Sequence, residues 1–102
     1  ELRRNIMPAA TRQGDNDTGH DACPPRGLAG HSGNVYINGR GAGRVGDSYP
    51  AHGCPVHPPH SGNIAAGSGT VFINGRPAGR IGDPVSCGGS VAIGSGNVFI
   101  GG

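Results

Sequence analysis

The strongest constraint on this chain is an internal repeat, which occurs twice at an offset of 36 residues. Residues 32–47 read SGNVYINGRGAGRVGD and residues 68–83 read SGTVFINGRPAGRIGD, with twelve identities in sixteen positions. A third copy begins at residues 95–101, SGNVFIG, and residues 12–15, RQGD, match the end of each full copy. Units of this kind bury their apolar faces against one another, so the repeat determines the fold more than any single element does.

Each full copy predicts a short β-hairpin. The dipeptide Asn-Gly occurs at 38–39 and 74–75 between apolar segments, and both central residues of a type I′ turn need a positive φ. Glycine interrupts every stretch that could show the 3.6-residue periodicity of a helix, so the chain is expected to be all-β. The predicted strands are 34–37, 40–45, 64–66, 71–73, 76–81, 91–93 and 97–100, and the predicted loops are 16–25, 48–62 and 84–89.

Length and composition limit the size of the core. The 102 residues suffice for one domain, and they include 22 glycines, 9 prolines and four aromatic residues. A core this poor in apolar bulk is expected to need a metal, a disulfide or a partner surface. Residues 1–6, ELRRNI, are unlike the rest and are interpreted as an expression remnant or the end of a cut fusion, which leaves residues 7–102 as a single domain.

Charge argues against a nucleic-acid partner, and the lack of a long apolar stretch argues against a membrane-spanning helix. The net charge of +2 comes with no basic run or basic face, which disfavours a nucleic-acid-binding protein. No stretch approaches the ~18 consecutive apolar residues of a membrane-spanning helix.

The histidines and cysteines point to a metal site. Three cysteines cannot all pair, and five histidines lie among them, a combination that favours metal over disulfide. His20 and His52 each follow a repeated Gly-Asp corner by five residues, and Cys87 follows the next corner by four. If the copies surround a pseudo-threefold axis, these side chains converge, and a fourth ligand would come from His57 or His60. Three histidines and one cysteine form a chemically reasonable tetrahedral zinc set.

Other residues at the corners have competing interpretations. Cys23 and Cys54, close behind His20 and His52, could be ligands or small buried apolar residues. The corner aspartates are expected to accept backbone hydrogen bonds in turns and to pair with the corner arginines; the residues are Asp15, Asp47 and Asp83, with Arg12, Arg44 and Arg80. A zinc hydrolase needs an open coordination position and a general base, and Glu1 is the sole glutamate.

These residues together resemble the PAAR-repeat proteins, small cones that sharpen the central spikes of contractile injection machines. The resemblance covers residues 7–102. Its motifs are the two Ser-Gly-x-Val-aromatic-Ile-Asn-Gly segments, PAGR at 77–80 before IGDP at 81–84, TGH at 18–20 with PPR at 24–26, and CGG at 87–89. The eponymous Pro-Ala-Ala-Arg is altered here, because Gly43 and Gly79 replace its second alanine.

The resemblance implies a fold and a metal. The fold would be a small all-β cone of short β-hairpins with pseudo-threefold repeats, a pointed tip and no substantial helix. One structural zinc would lie near the apex, held by His20, His52, His60 and Cys87. Spacing to the next Gly-Ser in the family selects His60 over His57.

The resemblance also implies a function and partners. The base of the cone would sit on the trimeric β-helical spike of a type VI secretion system, a phage tail or a related particle, with one copy per spike trimer. The chain would be a non-enzymatic tip, assembled in the bacterial cytoplasm and delivered outward to pierce the target cell envelope, and effector domains can be fused to such tips. The alternatives are a small zinc-dependent hydrolase or toxin and a zinc module for nucleic acid, the latter disfavoured by too few aromatic residues for base stacking.

Overall fold

All regular structure in the part of the chain that the structure describes is β. The structure, a computed structural model, describes residues 7–20, 23–52 and 60–102, with His52 described in its backbone alone. Six short strands form three antiparallel two-stranded sheets. They are β1 (Tyr36–Ile37), β2 (Arg40–Gly41), β3 (Ser48–His52), β4 (His60–Asn63), β5 (Phe72–Ile73) and β6 (Arg76–Pro77). Within these ranges the chain forms no helix, and hence none that could cross a bilayer.

The two repeated hairpins close through the predicted turns. Asn38 and Gly39 have φ values of 54° and 79°, and Asn74 and Gly75 have 55° and 78°. Positive φ at both central residues defines a type I′ turn, whose twist matches that of the flanking strands. The prediction of hairpins at Asn-Gly is confirmed, although each strand is two residues long, shorter than the sequence indicated.

The predicted loop 48–62 is wrong, because its two ends form the longest hairpin. β3 pairs with β4 with Ser48 opposite Asn63, Tyr49 opposite Gly62 and a shifted register that brings His52 opposite His60. Tyr49 is fully buried and is the one large apolar side chain that β3 contributes to the core. A strand with a single core residue shows no alternation of apolar and polar residues. The sequence therefore shows no sign of this strand, although its backbone pairs with β4.

Three other predicted strands are reduced to single bridges. Ile64, predicted to open strand 64–66, forms one isolated bridge with Val85. The segments 91–93 and 97–100 likewise contribute one bridge each, between Val91 and Asp17 and between Phe99 and Ala9. Ile64 and Val91 are 1 % exposed, so their apolar character marks core positions and not strands.

The apolar core is divided into two small clusters. The first takes one alanine and one isoleucine from each repeat, namely Ala10, Ala42, Ala78, Ile37, Ile73 and Ile100. The second lies beneath the β3–β4 hairpin and contains Leu28, Tyr49, Ile64, Val85 and Val91. The second cluster contains residues outside the repeated segments, and it underlies the candidate site described below.

The Arg-x-Gly-Asp corners make the same contact three times. At the first corner Arg12 Nε donates to Asp15 Oδ2 at 2.9 Å, and the Arg12 backbone N–H donates to the same oxygen at 2.9 Å. The equivalent bonds join Arg44 to Asp47 and Arg80 to Asp83. These carboxylates therefore stabilise the turns, as the sequence predicted.

The repeats meet at a closed ring of three backbone hydrogen bonds. Thr11 N donates to Gly79 O at 3.1 Å, Gly79 N to Gly43 O at 2.9 Å, and Gly43 N to Thr11 O at 2.9 Å. A Cβ atom at Gly43 would lie 2.7 Å from the Thr11 methyl carbon, and one at Gly79 would lie 3.1 Å from it. The Leu28 side chain is equally close at Gly43, at 2.7 Å, and the Ile64 side chain lies 3.0 Å away at Gly79. Glycine therefore replaces the second alanine of the motif where Thr11 and these neighbours already fill the space. The pseudo-threefold axis itself stays a prediction.

A second set of contacts links each repeat to another. The Ser32 hydroxyl accepts the Val35 N–H at 2.9 Å and donates to Asn74 Oδ1 at 2.6 Å. Ser95 makes the same bonds to Val98 and Asn38, and Ser68 makes them to Val71 and the Gly101 carbonyl. The first copy thus bonds the second, the second bonds the third, and the third returns to the first.

Candidate metal centre

Three of the predicted ligands lie together at one end of the β3–β4 hairpin. The potential ligand atoms of His20, His60 and Cys87 all lie within 4.8 Å of one another. His20 Nε2 and His60 Nε2 are 2.8 Å apart, and the two imidazole rings are tilted by 33° with centroids 4.9 Å apart. All three side chains are partly buried, so the cluster is shielded but reachable. We call His20, His60 and Cys87 the HHC cluster.

A local turn and two hydrogen bonds bring the segments that carry His20 and Cys87 together. Cys87 lies in a tight turn closed by a bond from Gly88 N to Val85 O at 3.0 Å. Two bonds fasten this turn to the segment that carries His20: Thr18 N donates to Ser90 O at 2.8 Å, and Ser90 N donates to Thr18 Oγ1 at 3.0 Å. Positions about 70 residues apart in sequence are thereby fixed side by side.

Two glycines allow this close approach. A Cβ atom at Gly62, in β4, would lie 2.6 Å from Cys87 Sγ. Gly89 has a φ of 76°, and a Cβ atom there would lie 2.4 Å from the Gly19 carbonyl oxygen, next to His20. Any side chain at either position would push the members of the cluster apart, since contacts below 3 Å force a shift of the backbone or the sulfur.

A buried ion pair lies directly behind the HHC cluster. Arg26 is 6 % exposed and Asp17 is 1 % exposed, and Arg26 Nη2 donates to Asp17 Oδ2 at 2.9 Å. The same nitrogen donates to Cys87 Sγ at 3.1 Å. Burial by itself lowers the pKa of Arg26, but the bonds to Cys87 and Asp17 and their charges outweigh it and raise this pKa overall. The guanidinium therefore stays cationic beside the sulfur.

Tyr49 completes the buried surroundings of the ion pair. The Arg26 guanidinium carbon lies 5.6 Å from the centroid of the Tyr49 ring, within the range of a cation–π contact. Burial raises the pKa of the Tyr49 hydroxyl, and the negative charge of Asp17 adds to the effect. Tyr49 is therefore neutral and acts as an apolar wall for the cation.

The HHC cluster suits a metal ion by its donor chemistry. Two imidazole nitrogens and one thiolate sulfur are borderline to soft donors, the set found in structural zinc sites. Tetrahedral coordination at Zn–N and Zn–S distances of ~2.0–2.3 Å requires ligand atoms roughly 3.3–3.6 Å apart, so the observed spread needs sub-ångström to one-ångström adjustments. The cluster could therefore hold a metal ion, and the identity of that ion as zinc is a proposal taken up below.

The structure places the remaining sequence candidates as follows. His52 ends β3 with its backbone opposite His60, and its side chain, the predicted fourth ligand, lies outside what the structure describes. Cys23 is 4 % exposed and disulfide-bonded, so it is a buried structural residue rather than a thiolate ligand. His57 and Cys54 lie outside the described residues. That His20, His52, His60 and Cys87 together ligate a metal stays a prediction.

Sequence reasoning missed the contribution of Asp17 and Arg26 to this site. The position two residues after the corner aspartate holds Asp17 in the first copy but Tyr49 and Val85 in the others, so the repeat did not single out the aspartate or its partner. The one signal that could have found them is chemical. An arginine beside two prolines and an aspartate near a corner must be paired if they are buried, since lone buried charges are strongly disfavoured.

The fold and the site define a class of protein: a small all-β domain of repeated hairpins joined in a ring, with a histidine–cysteine cluster at the end of its one longer hairpin. Residues 18–93 match the PAAR motif, a match that spans most of the chain. The chain therefore belongs to the PAAR-motif family. A search of curated proteins finds no match to it.

Proposed function

We propose that this protein is the tip of the central spike of a contractile injection machine. Membership of the PAAR-motif family supports this role, since proteins of this family are structural spike tips. The observation that carries the proposal is the HHC cluster, because it brings together three segments that are distant in sequence. A metal bound there would fasten these segments to one another, as a tip that is driven into an envelope requires.

In this proposal the metal is one structural zinc ion. His20, His60 and Cys87 would hold it, with His52 as the fourth ligand, supported by the pairing of its backbone with His60. A bound zinc supplies coordination bonds whose free energy becomes folding free energy. The chain's own contribution is to hold the ligands in place through the Thr18–Ser90 bonds and through the close approach at Gly62.

The proposed partner is a trimeric β-helical spike protein. The cyclic hydrogen bonds between repeats support this partner, because a threefold arrangement lets a single chain match a threefold platform. One copy would cap one trimer, be assembled in the bacterial cytoplasm and be carried outward by contraction. A type VI secretion system and a phage tail both provide such a spike.

Metal content and melting temperature test the structural metal. Mass spectrometry of the purified protein is expected to find one zinc per chain, and a strong chelator is expected to remove it and lower the melting temperature. Cys87→Ser should lose the metal and melt like the chelated wild type. His31→Gln is the matched control, because His31 lies outside the cluster and bonds the neighbouring Ser32 carbonyl. Cys87→Ser with normal zinc content and melting would contradict the proposal.

Native mass spectrometry tests the role as a tip. The protein mixed with the trimeric β-helical spike protein from the same source is expected to form a complex of one chain and three spike subunits. A failure to bind any such spike would overturn the tip role while leaving the metal result standing. Hydrolytic turnover that depends on zinc, together with one open coordination position, would favour the hydrolase alternative.

A further inference from the structure

We propose that the buried ion pair of Asp17 and Arg26 positions all three members of the HHC cluster and thereby sets how tightly the cluster holds a metal ion. The inference rests on the proposed metal site and deepens it. Arg26 would be a positioning residue: it contacts ligand residues and is not itself a ligand.

The ion pair bonds two members of the cluster directly and the residue next to the third. Asp17 Oδ1 accepts the backbone N–H of Gly19 at 3.2 Å, the residue directly before His20. Arg26 Nη1 donates to the His60 carbonyl oxygen at 3.2 Å, and Arg26 Nη2 donates to Cys87 Sγ at 3.1 Å. One salt bridge therefore restrains three segments that are far apart in sequence, at Gly19, His60 and Cys87.

Arg26 is itself held without remaining freedom. A guanidinium has five N–H donors in a fixed plane. Nε and one Nη2 hydrogen go to Asp17 Oδ2, the other Nη2 hydrogen goes to Cys87, and the two Nη1 hydrogens go to the Pro50 and His60 carbonyls. All five donors are thus used, and the plane of the side chain is fixed by β3, β4 and the Cys87 turn together.

Asp17 is held equally firmly. Its Oδ1 accepts the Arg26 backbone N–H at 2.8 Å, and its own backbone N–H donates to the Arg26 carbonyl at 2.9 Å. The pair is therefore joined through both main chains as well as both side chains. A rigid support of this kind keeps ligand atoms near their binding positions before the metal arrives, which lowers the ordering cost of binding.

Substitution of Arg26 by lysine isolates the positioning role. Lysine keeps the positive charge opposite Asp17, but a single ammonium cannot reach the aspartate, the two carbonyls and the sulfur at once. Competition with a chromophoric chelator should show Zn²⁺ and Co²⁺ affinities of Arg26→Lys about 10- to 100-fold weaker than wild type, the range typical for loss of outer-sphere partners. The Co²⁺ complex should also show a shifted or weakened thiolate-to-metal absorption band.

Arg44→Lys is the matched control. Arg44 also pairs with an aspartate, Asp47, through its Nε and Nη2 atoms, and its other side-chain bond goes from Nη1 to the Asn74 side chain and to no member of the cluster. Its metal affinity is expected to stay within about twofold of wild type, since distant sites act nearly independently. A merely structural role for Arg26 would lower the stability of both variants and leave both affinities alike, which would overturn the proposal.

A measurement on the wild type guards against a variant that does not fold. In ¹⁵N NMR spectra the Arg26 guanidinium should give separate, slowly exchanging N–H signals that shift when Zn²⁺ or Cd²⁺ is added. A single averaged guanidinium signal, or signals that do not respond to metal, would overturn the proposal. If the wild type binds no metal, both this inference and the proposed structural zinc site are wrong. If the wild type binds metal and Arg26→Lys binds it equally well, the inference alone is wrong.

Discussion

The buried arginine–aspartate pairs at the repeated corners and the pair of Asp17 and Arg26 are built in opposite ways. The corner pairs are local, with the partners three positions apart in the chain, and they occur three times. The pair of Asp17 and Arg26 is nine residues apart, occurs once, and contacts the HHC cluster. The same type of ion pair thus stabilises the repeated corners in one region and supports the HHC cluster in the other.

The difference shows how a repeat protein can acquire a site. Positions two residues after the corner aspartates are Asp17, Tyr49 and Val85, all buried. The repeated backbone delivers an equivalent position three times, and the sequence uses it once for an ion pair and twice for the second core cluster. Asymmetry in side chains on a repeated backbone is therefore what creates the candidate metal centre.

The comparison is tested most strongly by removing the unique carboxylate. Asp17→Ala leaves Arg26 as an uncompensated buried cation and should lower the free energy of unfolding by about 3–5 kcal/mol. Asp83→Ala, at the most exposed corner pair, should lower it by about 1–3 kcal/mol. Chemical denaturation of the metal-free proteins measures both. A larger loss for Asp83→Ala would contradict the ranking of the two regions.

The close approach between β4 and the Cys87 turn provides the next largest effect. Gly62→Ala places a methyl group 2.6 Å from Cys87 Sγ, and the resulting overpacking should cost about 1–3 kcal/mol. Metal affinity should fall in the same variant, because the sulfur must move. Gly96→Ala is the control: its Cβ would meet no atom within 4 Å, so its unfolding free energy should change by less than about 0.5 kcal/mol.

The serine contacts between repeats test whether the frame is uniform. Ser32→Ala, Ser68→Ala and Ser95→Ala each remove a hydroxyl that accepts backbone N–H groups and donates across to another repeat. Each should cost about 1–2 kcal/mol without a change in metal affinity. Thermal melting of the three single variants would show nearly equal losses. Losses that differ severalfold would show that the repeats do not contribute alike.

The smallest expected effect is at the exposed partners of the corner aspartates. Arg40 donates to Asp15 Oδ1 with its side chain 42 % exposed, so Arg40→Ala should cost less than about 1 kcal/mol. Arg76→Ala should cost somewhat more, because Arg76 donates to the Val45 carbonyl at 2.9 Å, whereas the bond from Arg40 to the Gln13 carbonyl is longer, at 3.4 Å. Raising the salt concentration should shrink the Arg40 effect, as expected for a screened surface pair. An effect of Arg40→Ala that exceeds that of Arg76→Ala at every salt concentration would argue against this account.

The sequence predicted the parts of the fold that repeat. The Asn-Gly turns, the corner pairs and the absence of helix in the described residues followed from local chemistry, because turn geometry is fixed by a few adjacent residues. The β3–β4 hairpin was missed because backbone pairing can form without apolar alternation. Tyr49 was its only strong core signal, and one residue establishes no period.

The sequence predicted the histidines and the cysteine of the candidate site, but it did not predict the ion pair of Asp17 and Arg26 that lies behind them. The register of histidines and cysteine after the corners singled out His20 and Cys87, and the family resemblance selected His60. Which distant segments meet around Arg26 depends on contacts between residues up to 61 positions apart, and no local pattern encodes them. Long-range side-chain pairing of this kind emerges only from the folded chain.

The ring of Thr11, Gly43 and Gly79 limits how alike the repeats can become. The space at their meeting point holds one threonine side chain, whose hydroxyl also donates to the Ile93 carbonyl at 3.0 Å. A gene duplication that copied Thr11 into the other two positions would place three methyl groups where there is room for one. As long as one copy keeps a threonine at this point, the other two copies must keep a glycine, and the three repeats cannot become identical at their centre.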